Sequence, residues 1–117
     1  MGQLYCENNL LTSLDLSANT SLYYLFCGGN LLTSLDPSGL SALTFLYCGG
    51  NQLGSLDISS NTLLGSESKY GLSYGLDLSD MPSLYQVCVW TMPFPPENLE
   101  IDITGSPNVY FTTECSK

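Results

Sequence analysis

The stretch LYCGGNQLGSLD, residues 46–57, follows LFCGGNLLTSLD at 25–36 and LYCENNLLTSLD at 4–15. A fixed interval of 21 residues brings Leu4, Leu25 and Leu46 into one column and Cys6, Cys27 and Cys48 into a second. Asn9, Asn30 and Asn51 form a third, and Asp15, Asp36 and Asp57 a fourth. A period of this length implies units that stack, each burying the apolar face of the next.

The positions within a unit follow from strand geometry. In LYYLFC, residues 22–27, Leu22, Leu25 and Cys27 take inward places. Tyr24 and Phe26 take the outward ones, because successive strand side chains switch faces. The Asn column stands where the chain leaves the strand, and a buried amide there can satisfy backbone groups of its own and neighbouring units. Gly28, Gly29, Gly49 and Gly50 suit a tight exit. About ten residues remain before the next strand, and they read LLTSLDLSANTS in the first unit. There Leu14 and Leu16 alternate with Asp15, a period of two rather than 3.6, so a second extended segment is expected on the opposite wall and no helix.

The pattern L-x-x-L-x-C-x-x-N-x-L resembles that of leucine-rich repeats. With its L-D-L half it is similar to the short 21-residue repeats of secreted bacterial cell-surface proteins, and the resemblance covers nearly the whole chain. It implies a mainly β, single-domain solenoid of about five flattened coils, with two short extended segments per coil and little or no helix. The domain spans 1–117, with regular repeats at 1–63, a degenerate coil at 64–75, and the last coils and carboxyl-terminal cap at 76–117. Leu76-Asp77-Leu78-Ser79 reads as the L-D-L-S wall again, and Leu84, Val87 and Val89 take the slots of Leu43, Leu46 and Cys48. Between them Glu67 replaces the strand Leu and Leu72 the Asn, so a bulged or looped strand is expected. Ile101-Asp102-Ile103 reads as a final coil, and GSPNVYF, 105–111, as an edge strand. LYQVCVWTMPFPP, 84–96, and GSPNVYFTTEC, 105–115, resemble the cap that usually precedes a secretion sorting domain, which is expected to be absent or removed here. Met1 occupies the slot of Leu22 and Leu43, so the chain is expected to start inside a coil without a polar cap.

Composition narrows function. Lys69 and Lys117 face eleven carboxylates, giving a formal charge of −9. Nucleic acid is excluded as a partner, since phosphate binding rests on clustered Lys and Arg. Polybasic membrane contact fails for the same reason. No run approaches the roughly 20 apolar residues of a membrane span, and MGQLYCENN has neither the basic start nor the apolar core of a signal peptide. With no His or Arg in the chain, and acids locked into the repeat, no catalytic constellation is expected and the chain reads as no enzyme.

Of the five cysteines, Cys6, Cys27 and Cys48 form an inward ladder whose parallel Cβ vectors disfavour bridging, so they read as small buried apolar side chains. Without His or C-x-x-C, no metal or cofactor is expected. Cys88 falls on the outward slot and Cys115 on the edge strand, and a Cys88 to Cys115 bridge pinning the cap is the expected pairing. Such a bridge argues for an extracellular setting.

Two ladders are expected to face water. One is aromatic: Tyr5, Phe26 and Tyr47 in one column, Tyr24 and Phe45 in the next. Exposed rings suit sugar stacking or burial against a protein, although they could equally cover one another. The other is acidic: Asp15, Asp36, Asp57 and Asp77, extending to Asp102. Charges about 5 Å apart repel by roughly 1 kcal/mol in water and about 3 kcal/mol at an effective dielectric near 20. Hydrogen bonds from neighbouring backbone and Ser or Thr groups, such as Thr12, Ser13, Thr33 and Ser34, could relieve this, as could calcium, although the calcium-binding G-G-x-G-x-D repeat is absent. Asn19-Thr20-Ser21 matches a glycosylation triplet of little weight in a bacterial-looking chain, and the Thr12, Thr33 row is too short for ice binding.

The expected function is a non-catalytic binding or adhesion module of a secreted or cell-surface bacterial protein, recognising protein or glycan through the aromatic strand face. The alternative is a structural protein that assembles end to end into a filament, its first strand edge serving as a template for another copy.

Overall fold

In the computed structural model, residues 2–64, 75–92, 94–95 and 99–114 are described. Eight short strands follow in chain order: β1 (Gln3–Tyr5), β2 (Tyr24–Phe26), β3 (Phe45–Tyr47), β4 (Ser55–Asp57), β5 (Leu76–Asp77), β6 (Gln86–Cys88), β7 (Ile101–Asp102) and β8 (Tyr110–Thr112). Among the described residues there is no helix. The strands form two parallel sheets, one ordered β1-β2-β3-β5-β7 and the other β4-β6-β8. The chain is mainly β, and the period-two reading of its leucine-rich segments accounts for that.

The register of the first sheet follows the 21-residue interval: Leu4 lies opposite Leu25, and Leu25 opposite Leu46. Three residues beyond each strand of this sheet the chain turns away through a residue with positive φ: Asn8, Gly29, Gly50, Asp80 and Gly105, at 55–80°. These residues also stack. The N–H of Asn8 donates to Gly28 O, Gly29 to Gly49 O, Gly50 to Ser79 O and Asp80 to Thr104 O, at 2.7–2.9 Å. A side chain at Gly49 has no room, since a Cβ there would lie 2.6 Å from Ser79 Oγ and 2.8 Å from Ser79 O.

Between the sheets lies one apolar core that includes Leu22, Leu25, Cys27, Leu43, Leu46, Cys48, Leu76 and Val87, all fully buried. Each buried Leu contributes about 1.5–3 kcal/mol relative to exposure.

The stacking order departs from the sequence expectation beyond β4. Leu76 lies opposite Leu46 and Asp77 opposite Tyr47, so L-D-L-S continues the wall of L-Y-C-G, and β7 continues it again with Ile101 and Asp102. Val87 lies opposite Leu56 and Cys88 opposite Asp57, not on the wall of Leu46 and Tyr47. Both segment types alternate apolar and polar residues, so either seals either wall, and the path of the chain decides which. Ser106 takes the turn position that Asn holds elsewhere: its Oγ accepts from Met81 N at 2.9 Å and donates to Leu78 O at 2.5 Å. Of the L-D-L segments expected to be extended, those at β4, β5 and β7 form strands, whereas residues 14–16 and 35–37 carry none. Pro37, which has no N–H to donate, stands in that row. Glu67, Leu72 and most of the degenerate coil lie outside the described residues.

Candidate recognition surface

On the outer side of the first sheet, β1, β2 and β3 bring together all five rings of the expected aromatic face. Tyr5 stacks on Phe26 at 4.6 Å and 8°, and Phe26 meets Tyr47 at 4.8 Å. Tyr24 meets Phe45 edge-on at 5.0 Å. The expected exposure does not hold for three of them: Tyr24, Phe26 and Phe45 are buried in a cluster of their own, with Tyr47 packed against it. Rings on strands about 4.8 Å apart cover one another's faces, and those on β2 are flanked from both sides. Tyr5, at the edge, remains 59% exposed. Tyr23, which the sequence reading passed over, adds an edge-on contact to Tyr24 at 4.7 Å and is itself exposed.

The acids do not form one column. Asp77 and Asp102 lie in register with Tyr47 on the first sheet, whereas Asp57 lies on the second, opposite Cys88. What they share is a local turn. Oδ1 of Asp15, Asp36, Asp57, Asp77 and Asp102 accepts the N–H of Ser17, Ser38, Ser59, Ser79 and Thr104 respectively, at 2.9–3.1 Å. The hydroxyls of Ser38, Ser59 and Ser79 add bonds of 2.6 Å. The relief thus comes from neighbouring backbone and Ser or Thr groups, but from the residue two places on rather than from Thr12, Ser13, Thr33 or Ser34, because D-x-S and D-x-T fold into a side-chain-capped turn. The hydrogen bonds of Ser17, its N–H first, hold the Asp15 carboxyl below the usual range, and the Ser38 hydroxyl and N–H do so for Asp36. Between these two turns runs a groove of about 350 Å³ lined by Leu14, Asp15, Asp36 and Leu40. Among the described residues no group of three or more His, Cys, Asp or Glu could hold a metal ion.

Behind the surface, Asn30 and Asn51 sit in the core. Nδ2 of Asn30 donates to Cys6 O and Cys27 O, both at 3.0 Å, and Oδ1 accepts from Asn9 N and Leu11 N. Asn51 repeats this one unit on, with Cys27 O, Cys48 O and Leu32 N. Asn9 is exposed and bonds only within its own unit through its side chain. Asn61, a second buried clamp, donates to Pro37 O and Leu40 O at 2.9 and 3.1 Å. Its signal in the sequence was the matching Asn19 of S-A-N-T, broken by Leu40 in the unit between.

Cys6, Cys27 and Cys48 carry free thiols. Burial pushes the Cys27 thiol up to about 12 and Cys48 well above its usual range, and raises the half-exposed Cys6 less. Cys88 is disulfide-bonded; Cys115, its expected partner, lies outside the described residues.

The second sheet carries a ring pair the sequence reading missed: Tyr85 and Tyr110, 6.5 Å apart and both about half exposed. The sequence carries no signal for it, since the path of the chain alone sets Tyr85 opposite Gly54, whose O accepts the Tyr85 N–H. No family model, curated protein or solved structure matches this chain. Among the described residues no helix is long and apolar enough to cross a membrane.

Proposed function

We propose that the chain is a leucine-rich-repeat solenoid of about five flattened coils, serving as a non-catalytic binding or adhesion module of a secreted or cell-surface bacterial protein. The architecture is supported by the in-register parallel pairing of β1, β2 and β3 and by the amide clamps of Asn30 and Asn51 between successive units. The bonded state of Cys88 supports an oxidising location.

The observation that carries the binding role is Tyr5. Its ring is exposed yet lies flat on the buried Phe26, so its orientation is held before any partner arrives. Such preorganisation lowers the ordering cost of binding a protein or glycan. An array of glycans and surface proteins probed with the parent chain and with Tyr5→Ala and Tyr47→Ala tests it. Loss of signal in the variants, each still folded at the assay temperature, is expected; equal binding removes this face from the proposal.

End-to-end assembly is favoured by one observation. Leu4, Cys6, Leu11 and Leu14 are only half buried, whereas Leu25, Cys27, Leu32 and Leu35 one unit on are buried. β1 is an edge strand, and such an edge can template another. Light scattering across a concentration series separates the readings: growth into filaments supports assembly, and a constant monomer mass ends it.

A further inference from the structure

The second sheet offers a site of a different kind. Taking the chain as a binding module, we propose that the outer face of β4, β6 and β8 binds a neutral polysaccharide, with Tyr85 and Tyr110 as the ring platform and Ser55 and Gln86 as hydroxyl partners.

Register places these groups together. Leu56, Val87 and Phe111 form one row across the sheet and pack into the core. Strand alternation therefore sends the preceding row, Ser55, Gln86 and Tyr110, outward. Tyr85 stands just before β6, and its backbone is tied on both sides: its N–H donates to Gly54 O at 3.0 Å, and its carbonyl accepts from Tyr110 N at 2.8 Å. The rings are held 6.5 Å apart at 41°, and Gly54 sets no side chain beside the Tyr85 ring. The pair of Tyr24 and Phe45 on the first sheet is covered; here both rings are left about half open.

Size and polarity select the ligand. Two half-exposed Tyr rings offer about 200 Å², against about 800 Å² per partner in a stable protein interface. The residues in register with Tyr110 are polar, Ser55 and Gln86, with the carboxylate of Asp57 one outward row on, where the centre of a protein contact would be apolar. Rings that stack on the C–H face of a sugar, flanked by an amide and hydroxyls for its oxygens, are the match. Asp57, in the next outward row, engages Ser59 through Oδ1 only, so its other oxygen has no protein donor among the described residues. A net charge of −9 disfavours acidic polymers.

Affinity electrophoresis of the full chain through gels holding hydroxyethyl cellulose, arabinoxylan or galactomannan tests the site, with alginate as the anionic control. Retardation by at least one neutral polymer is expected, weakened about tenfold in Tyr85→Ala/Tyr110→Ala and retained in Ile103→Ala, a change at an exposed side chain away from the rings, with both variants still folded at the temperature of the gel. No retardation by any neutral polymer, equal retardation of the double variant, or retardation by alginate alone overturns it. Loss in Tyr5→Ala alone places binding on the first sheet, which overturns this inference and leaves the binding role standing. Self-association of the parent that the double variant abolishes marks the face as a contact between copies and overturns it as well.

Discussion

Asn30 accepts the backbone N–H of Asn9 at 3.0 Å and returns a bond from its Nδ2 to the carbonyl of Cys6, also at 3.0 Å. One amide thus closes both a donor and an acceptor of the neighbouring unit in a site almost free of water. Asn30→Ala leaves those groups unpaired, at about 1–3 kcal/mol for each one that water cannot reach. A loss of about 3 kcal/mol is expected by urea unfolding for Asn30→Ala and Asn51→Ala, and under about 1 kcal/mol for the exposed Asn9→Ala. Equal losses at all three would mean that the clamp is not what joins the units.

The thiol ladder predicts a graded reactivity. At pH 8 a thiol reagent should label Cys6 first and reach Cys27 and Cys48 only on unfolding, because burial keeps the last two protonated. The linked stability has a definite sign. The folded chain holds protons that the unfolded chain releases near pH 8.5, so this contribution is complete below that pH and declines as pH rises toward about 12. Thiol counting by mass spectrometry, with melts at pH 7 and 10, checks both parts; a higher midpoint at pH 10 contradicts the second.

The acid turns run the opposite way. Asp15 and Asp36 have lowered values, so their contribution is present above the ordinary carboxylate range and lost as pH falls through it. The Ser38 hydroxyl is the largest cause at Asp36, whereas the Ser17 backbone N–H is the largest at Asp15. Ser38→Ala should therefore raise the Asp36 carboxyl more than Ser17→Ala raises Asp15, as read by carboxyl-carbon NMR titration. Equal displacements would refute the assignment.

Two glycines separate crowding from freedom. Gly49→Ala drives a Cβ against Ser79, and a cost of about 1–3 kcal/mol is expected. Gly39, with nothing within 4 Å of its added Cβ, should accept Ala within about 1 kcal/mol of the parent. Paired thermal melts decide, and a harmless Gly49→Ala would mean that the close approach of β3 and β5 exits is loose.

Phe45→Ala removes a fully buried ring and should cost about 3–5 kcal/mol, while Tyr5→Ala should cost less than about 1.5 kcal/mol. Similar losses at both would mean that the Tyr5 ring is as much a part of the packed interior as Phe45.

By itself the sequence determined the stacking of β1, β2 and β3, the inward Leu and Cys columns and the role of Asn30 and Asn51. Parallel in-register pairing sets each residue against its copy one unit away, so a periodic chain carries its own contact map. Only the tertiary structure decided where Leu76 and Val87 land, because L-D-L and L-Y-C both alternate and fit either sheet. It also decided which rings remain open. Burial of Tyr24, Phe26 and Phe45 and exposure of Tyr5, Tyr85 and Tyr110 depend on what packs beside each ring, which residue order does not record.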